Sequence, residues 1–128
     1  MIIESMCLAI AVYFESANEP EYDAGLAVAE VILNRVESSK FPGTICAVVK
    51  QDKGPKPHDC QFSFYCDGKP EKPYKGPKWL RAQQQAKEAL DGKTLGHNAL
   101  FYHANYTEPY WSSKLDFVGK VGKHLFYK

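Results

Sequence analysis

The eight residues from 7 to 14, CLAIAVYF, constrain the fold more than any other part of the chain. All eight side chains are apolar or aromatic, and over residues 4–17 apolar side chains fall on nearly every face of a helix. A helix that is apolar all round is typical of one surrounded by the rest of its domain. The sequence therefore predicts a central, buried helix that ends before Pro20.

The size and charge of the chain limit its class. With 128 residues it is expected to form a single domain, 1–128, with a core large enough to fold on its own. Its formal net charge of +1 lacks the excess of Lys and Arg that nucleic-acid binding requires. The longest apolar stretch is too short to span a bilayer, and MIIES lacks the basic start of a signal peptide. We expect a monomer with no nucleic-acid partner, no membrane insertion and no export signal in the chain.

Periodicity in the remainder predicts a mainly helical α+β domain with a small β element. Residues 22–38 are predicted to form a second helix. Its core stripe comprises Leu26, Ala29, Leu33 and Val36, and its solvent-facing stripe comprises Glu30, Asn34 and Glu37. Thr44 is a candidate N-cap for a short helix, and another helix is predicted over residues 78–90. QFSFYCDG alternates like a strand or hairpin, and the aromatic C-terminal part is expected to be partly extended.

The four cysteines allow several interpretations. Cys7 lies inside the apolar run and is expected to be a free, buried thiol. The other three flank a loop with few apolar side chains, so Cys60 with Cys66, or Cys46 with either, are candidate disulfides. The alternative is a structural zinc bound by His58, Asp59, Cys60 and Cys66. The C-x2-C and H-E-x-x-H spacings are absent, however, and we expect no metal.

Glu15 follows the apolar run directly, and Glu19 comes four residues later. A carboxyl group at the end of a buried helix loses hydration, which disfavours its charged form, so the pKa of Glu15 is expected to rise. A carboxyl group that keeps its proton near neutral pH can act as a general acid on the leaving oxygen of a glycosidic bond. The alternative is a Glu15 that faces solvent or pairs with a basic side chain.

Five segments, in order, carry a resemblance to a known family. LAIAVYFESANEP, GLAVAEVILNRVESSKFPGTICAVVKQ, QFSFYCDG, ALFYHANYTEPYW and VGKHLFY resemble the catalytic domain of the SleB-like cell-wall hydrolases. Members of this family act on peptidoglycan and are similar in fold to lysozymes and lytic transglycosylases, with a catalytic Glu on a central helix. The family segment Y-x-E-A-x-x-E corresponds to Tyr13, Glu15 and Glu19, with Ser16 where Ala is more usual. The resemblance implies a lysozyme-like domain in which Glu15 is catalytic.

The mechanism expected from this resemblance is that of a lytic transglycosylase. Hydrolysis normally needs two carboxylates across the scissile bond, about 5 Å or about 6.5–9.5 Å apart. Glu19 would lie along the same wall as Glu15 if the helix continued, and not opposite the sugar. In a lytic transglycosylase one Glu protonates the oxygen of the MurNAc–GlcNAc β-1,4 bond and then accepts the proton of the muramic acid 6-hydroxyl. A 1,6-anhydro ring closes, and no cofactor is needed. Lysozyme-type hydrolysis is the alternative.

The resemblance also suggests residues that bind the glycan. Gln61 and Ser63 match a family segment along the glycan groove, and their amide and hydroxyl groups can hydrogen-bond the sugars. Tyr102 is expected to hold the reacting sugar or to orient Glu15, and Trp111 to stack on a sugar face. Glu19 completes this predicted substrate-binding set.

Two other classes of protein are compatible with the sequence. A zinc amidase would use histidines, of which His58, His97, His103 and His124 are available, although their spacing fits no metal motif. A non-catalytic wall-binding module would use the aromatic residues and not Glu15. In each case the partner is peptidoglycan. Without an export signal in the chain, another factor would deliver the protein to the wall, such as a holin if it is phage-encoded.

Overall fold

A computed structural model of the chain describes residues 2–51, 60–66 and 75–128. Within these ranges the chain forms four α-helices, two short 3₁₀ helices and three strands. The α-helices are α1 (Ile2–Ser16), α2 (Tyr22–Val36), α3 (Ile45–Val49) and α4 (Pro77–Leu90). The 3₁₀ helices are Ser63–Cys66 and Tyr110–Ser113, and the strands are β1 (Phe101–Ala104), β2 (Phe117–Val121) and β3 (His124–Tyr127).

Helix α1 lies at the centre of the helical layer, as predicted. Leu8, Ala11 and Val12 are fully buried, and α2, α3 and α4 all pack against α1. One flank of the helix, at Met6, stays exposed. The last turn of α1 is closed by the Ser16 hydroxyl, which donates to the carbonyl of Val12 at 2.7 Å. None of the helices in the described ranges is long and apolar enough to cross a membrane.

Helix α2 buries more of its surface than its sequence pattern predicts. Leu26 is buried as expected, but Glu30, assigned to the solvent-facing stripe, is only 4% exposed. The carboxylate of Glu30 accepts a hydrogen bond from the amide of Leu95 at 2.7 Å, and the Asn34 amide donates to the carbonyl of Ala99 at 2.9 Å. The predicted polar stripe is therefore wrong at these two positions. The segment before β1 covers this face, and its backbone groups need polar partners.

Within the segment predicted as a strand or hairpin, Ser63–Cys66 form a 3₁₀ helix, and residues 67 and 68 lie outside the described ranges. The amide of Tyr65 donates to the carbonyl of Phe62 at 3.1 Å, which closes a helical turn. Phe62 and Phe64 both remain buried, and Phe64 stacks on Phe14 of α1 with ring centroids 4.9 Å apart. In the described part of the chain, a short turn thus places two alternate phenylalanines in the core with no strand paired to it, so the strand prediction is wrong for residues 63–66.

The prediction that Cys7 is a free thiol is also wrong. Cys7 is bonded to Cys46, with the Cα atoms 5.3 Å apart, so that α1 is tied to α3. The short helix α3, with Thr44 as its predicted N-cap, packs across α1 and brings the two thiols together. Cys46 is therefore not paired within the loop. Cys60 is also disulfide-bonded, whereas the side chain of its candidate partner Cys66 lies outside the described residues.

The three strands form an antiparallel sheet in the order β1-β3-β2. Tyr102 of β1 is paired with Phe126 of β3, and their rings stack with centroids 5.6 Å apart. Phe126 packs with Ala27 and Val31 of α2, which fixes the sheet against the helical layer. The predicted mainly helical α+β fold with a small β element is confirmed. This packing brings the side chain of Tyr102 to the end of α1.

Candidate active site

Glu15 lies in the last turn of α1, where the helix end is fixed by a side chain from α4. Arg81 donates from Nη2 to the carbonyl oxygens of Ser16, Ala17 and Glu19, at 3.1, 3.3 and 2.9 Å. The last carbonyl groups of a helix have no partner within the helix, and a positive charge there is favourable. Arg81 therefore fixes the end of α1 and, with it, the position of Glu15.

The side chain of Tyr102, in β1, binds the carboxyl group of Glu15. Its hydroxyl donates a hydrogen bond to Oε1 of Glu15, which links β1 to α1 across 87 positions of sequence. Burial raises the pKa of Tyr102 well above its usual value, and the charge and hydrogen bond of Glu15 raise it further. The hydroxyl therefore keeps its proton at neutral pH and stays a donor.

The environment of Glu15 favours its protonated form. The side chain is only partly exposed, and burial of the carboxyl group raises its pKa above the ordinary 4.5. The hydrogen bond from Tyr102 and the positive charge of Arg35 act in the opposite direction and limit this rise. The direction agrees with the rise predicted from the apolar run that precedes Glu15.

Glu15 lines a cleft of about 660 Å³ between the helical layer and the sheet. The cleft is lined by Phe14, Glu15, Arg35, Gln61, Phe62, Phe101, Tyr102, His103, Ala104, Tyr106, Thr107, Tyr110, Trp111, Leu115 and His124. Of the residues predicted to bind substrate, Gln61, Tyr102 and Trp111 thus border the same space as Glu15. The side chain of Ser63 lies outside the described residues.

Glu19 does not border this cleft. Helix α1 ends at Ser16, and the chain turns there, with the amide of Glu19 donating to the carbonyl of Ser16 at 3.0 Å. The carboxylate of Glu19 is buried and accepts a hydrogen bond from the backbone amide of Lys123 at 2.5 Å, in the turn between β2 and β3. Its observed contacts tie the helix end to the sheet.

Among the residues that line the cleft, Arg35 was not predicted from the sequence, and His124 was named only as a possible zinc ligand. Arg35 is only 3% exposed, and His124 is also buried, with its ring 5.2 Å from that of Tyr102. Burial lowers the pKa of His124, so its ring is neutral at neutral pH. The sequence does contain a pattern that indicates burial of Arg35. Arg35 follows Val28 and Ile32 at helical spacing, which places it on the buried face of α2.

The histidines of the predicted zinc alternative have other contacts where they are described. Nδ1 of His97 accepts from the amide of Ala99 at 3.1 Å, and Nε2 of His103 lies 2.9 Å from the hydroxyl of Tyr127. His58 lies outside the described ranges. Among the residues that the structure describes, no group of three or more His, Cys, Asp or Glu side chains is arranged to hold a metal ion.

A desolvated carboxyl group beside an open cleft is the kind of environment in which lysozyme holds its general acid. Residues 19–127 match the Cell Wall Hydrolase family. The chain belongs to this family, which confirms the resemblance in its sequence. The family match begins at Glu19 and so does not include Glu15. The evidence that Glu15 has a functional role is therefore the geometry of the cleft.

Relatives with solved structures agree with the family membership. The fold is similar to the catalytic domain of the germination-specific lytic transglycosylase SleB from Bacillus anthracis, with a TM-score of 0.76 and 33% identity over 98% of this chain and 93% of that one. It is also similar to the catalytic domain of SleB from Bacillus cereus, with a TM-score of 0.78 and 34% identity over 100% of this chain and 91% of that one.

Longer relatives match the chain as well. It is 32% identical over 126 residues to a spore cortex-lytic enzyme of Oceanobacillus iheyensis, and 34% identical over 122 residues to one of Bacillus cereus. Each match covers 94% of this chain, but only 40% and 42% of those proteins. The chain thus spans about two fifths of the length of these relatives.

Proposed function

We propose that residues 1–128 form the catalytic domain of a lytic transglycosylase that cleaves the MurNAc–GlcNAc β-1,4 bond of bacterial cell-wall peptidoglycan. The observation that carries this proposal is the carboxyl group of Glu15, which is desolvated, hydrogen-bonded by Tyr102 and open to the cleft. Among the described residues that line the cleft, Glu15 is the only one with a carboxyl group. A one-carboxylate mechanism fits this lining better than hydrolysis by two carboxylates.

The reaction uses Glu15 twice. Protonated Glu15 gives its proton to the glycosidic oxygen as the bond from that oxygen to the anomeric carbon breaks. The carboxylate that forms keeps the hydrogen bond from Tyr102. It then accepts the proton of the muramic acid 6-hydroxyl as that oxygen bonds to the anomeric carbon, and the 1,6-anhydro ring closes. Glu15 ends protonated, and no water is consumed.

The remaining cleft residues are proposed to hold the glycan. The Gln61 amide can donate to and accept from sugar hydroxyl and N-acetyl groups, and Trp111 offers an aromatic ring beside them. Tyr106 and Tyr110 lie at the rim, 84% and 79% exposed. Ser63 remains a predicted contact, and Glu19 is proposed to have a structural role in place of substrate binding.

The test is a matched pair of variants, Glu15→Gln and Glu19→Gln. Each keeps the size of the side chain and an oxygen that accepts hydrogen bonds, but removes the ionisable proton. We expect Glu15→Gln to lose activity on purified cell walls by about 10² to 10⁴ fold, as expected for loss of a general acid. Glu19→Gln should keep substantial activity, because its oxygen can still accept from the amide of Lys123.

Mass spectrometry of the released muropeptides identifies the reaction. Anhydro ends support the proposal, whereas reducing ends, which contain one more water, would assign the chain to the hydrolases. An active Glu15→Gln protein would overturn the role of Glu15. If the unsubstituted protein makes reducing ends and Glu19→Gln is inactive, the two results together would favour a two-carboxylate hydrolase. A parent that releases peptides with intact glycan strands would point to an amidase.

The folding of Glu15→Gln can be checked through its dependence on pH. The folded protein holds the Glu15 proton more tightly than the unfolded chain does, since burial raises the folded pKa. The contribution of Glu15 to the free energy of unfolding is therefore lost as pH rises from 4.5 through the raised pKa. Glu15→Gln removes this titration, so it should match the parent in acid and be at least as stable at neutral pH. Lost activity with a lower melting temperature would indicate misfolding instead.

A further inference from the structure

We propose that Arg35 is a positioning residue for this reaction, whose buried guanidinium anchors β1 beside Glu15 and supplies the positive charge that stabilises the Glu15 carboxylate after its proton has left. The inference rests on the proposed role of Glu15 as the proton donor. Four observations support it: a backbone anchor, an enclosed charge, a buried donor without a partner and the set of groups that line the cleft with this charge.

The anchor joins α2 to the start of β1. Nε of Arg35 donates to the carbonyl oxygen of Leu100 at 2.8 Å, and Tyr102 follows two residues later. Tyr102 in turn donates to Glu15. Arg35 therefore fixes the strand segment from which the catalytic carboxyl group receives its hydrogen bond.

The charge of Arg35 is enclosed by aromatic rings. The centre of its guanidinium lies 4.7 Å from the ring centroid of Phe41, 5.4 Å from that of Phe62 and 5.6 Å from that of Phe101. Burial lowers the pKa of Arg35 to about 10, which leaves it protonated at neutral pH. The rings attract the cation, but they also keep water away from it.

One end of this guanidinium lacks a partner. Nη1 is buried without a hydrogen bond, and no carboxylate in the described part of the chain forms an ion pair with Arg35. An unsatisfied buried donor costs about 1–3 kcal/mol, and more when it is charged. Such a group in a native structure calls for an explanation, of which a catalytic role is one.

The groups that face Arg35 and Glu15 give this explanation. Glu15 comes from α1, Tyr102 and His103 from β1, and His124 from β3. While Glu15 and Tyr102 carry their protons, no negative charge among the described residues that line the cleft balances the charge of Arg35. Once Glu15 has donated its proton, the new carboxylate balances that charge. The site is thus more complementary to the state after proton transfer than to the resting state, as catalysis requires.

Three substitutions separate the anchor from the charge. Arg35→Lys keeps the positive charge but loses the planar Nε–H donor. Arg35→citrulline, made by ligation at Cys46, keeps the shape and the Nε–H bond to Leu100 but removes the charge. Arg35→Gln removes both. Citrulline is nearly isosteric with arginine, so it provides a folded, uncharged variant even where Gln destabilises the fold.

The first measurement is a carbon-13 NMR titration of the Glu15 carboxyl group in the free protein, identified by its absence in Glu15→Gln. We expect citrulline and Gln to move the Glu15 titration to higher pH, because they remove a charge that favours the carboxylate. Arg35→Lys should stay close to the parent. An unchanged Glu15 titration in folded Arg35→citrulline would overturn the proposal.

The second measurement is the pH dependence of kcat, whose basic limb reports deprotonation of the general acid. The citrulline variant should show this limb at higher pH, with a plateau at least tenfold lower and KM changed less than about threefold. A purely structural role would lower activity and leave the limb in place, which would also overturn the proposal. The NMR result does not depend on catalysis, so it stays informative if Glu15→Gln proves active and the proposed function fails.

Discussion

The hydrogen bond from Tyr102 to Glu15 is expected to influence the pKa of the Glu15 carboxyl group. Removing this bond is the sharpest test of how the cleft controls that pKa. Tyr102→Phe removes one oxygen atom and leaves the ring stacked on Phe126. The hydroxyl donates to Glu15 and so favours its charged form. We therefore expect the variant to raise the pKa of Glu15 further and to lower the maximal rate, since the carboxylate formed during the reaction loses a donor.

The size of the effect follows from the kind of bond. A hydrogen bond to a charged group contributes about 1.5–3 kcal/mol, and about 1.4 kcal/mol corresponds to a tenfold change in rate or one pKa unit. Tyr102→Phe should thus lower kcat by about 10 to 150 fold and move the basic limb of its pH profile to higher pH. The melting temperature should change little, because Glu15 is partly exposed to the cleft and water can replace the lost donor.

Tyr22→Phe is the matched control. The hydroxyl of Tyr22 also donates to a glutamate, Glu88, at 2.8 Å, but this pair lies on α2 and α4 and does not line the cleft. The control removes the same atom from the same kind of bond and should leave the rate and its pH profile unchanged. If Tyr102→Phe shows the parent profile, or if both variants lose activity equally, the assigned function of the Tyr102 hydrogen bond is wrong.

Three further predictions concern the protein core and the rim of the cleft. Replacing Cys7 and Cys46 together by Ser removes a bridge between residues 39 apart, which should cost about 4 kcal/mol in the chain-entropy model; an unchanged urea midpoint would contradict this. Gly25→Ala should destabilise by about 1–3 kcal/mol in the same assay, because the new Cβ would collide with the buried side chain of Gln85. Tyr106→Ala should raise KM for glycan strands several-fold while Tyr106→Phe does not, since stacking needs only the ring; equal KM values for both variants would exclude stacking.

The parts of the fold that could be predicted from the sequence are those in which local pattern and environment agree. Residues 7–14 are apolar in every position, and a helix with this pattern has one stable location, inside the domain. The N-cap at Thr44 could be predicted as well, because its hydroxyl accepts from the amide of Ala47, only three residues away. The raised pKa of Glu15 could be predicted too, because a residue that directly follows a buried helical run is itself largely removed from water.

The parts that could not be predicted depend on contacts between distant segments. The pairing of Cys7 with Cys46 exists because α3 crosses α1, and no spacing in the sequence specifies that crossing. Phe62 and Phe64 alternate as they would in a strand, but a 3₁₀ helix buries both rings equally well. Arg35 was missed because a charged residue is normally placed at the surface, and only the three surrounding rings make its burial possible.

Glu15 and Glu19 illustrate how the end of one helix gives two similar residues different roles. The carboxyl group of Glu15 meets one side-chain donor and the cleft, so its proton can be exchanged with a substrate. Glu19 lies beyond the helix end, where its carboxylate meets the backbone amide of Lys123. The neighbouring Gly122 has φ of +59°, and any Cβ there would collide with the Glu19 carboxylate, so the tight β2–β3 turn and the buried carboxylate require each other. The turn that Glu19 binds precedes β3, which pairs with β1 and thereby places Tyr102. The second carboxylate therefore supports the first through the sheet, and under the proposed mechanism the cleft needs only one group that donates a proton.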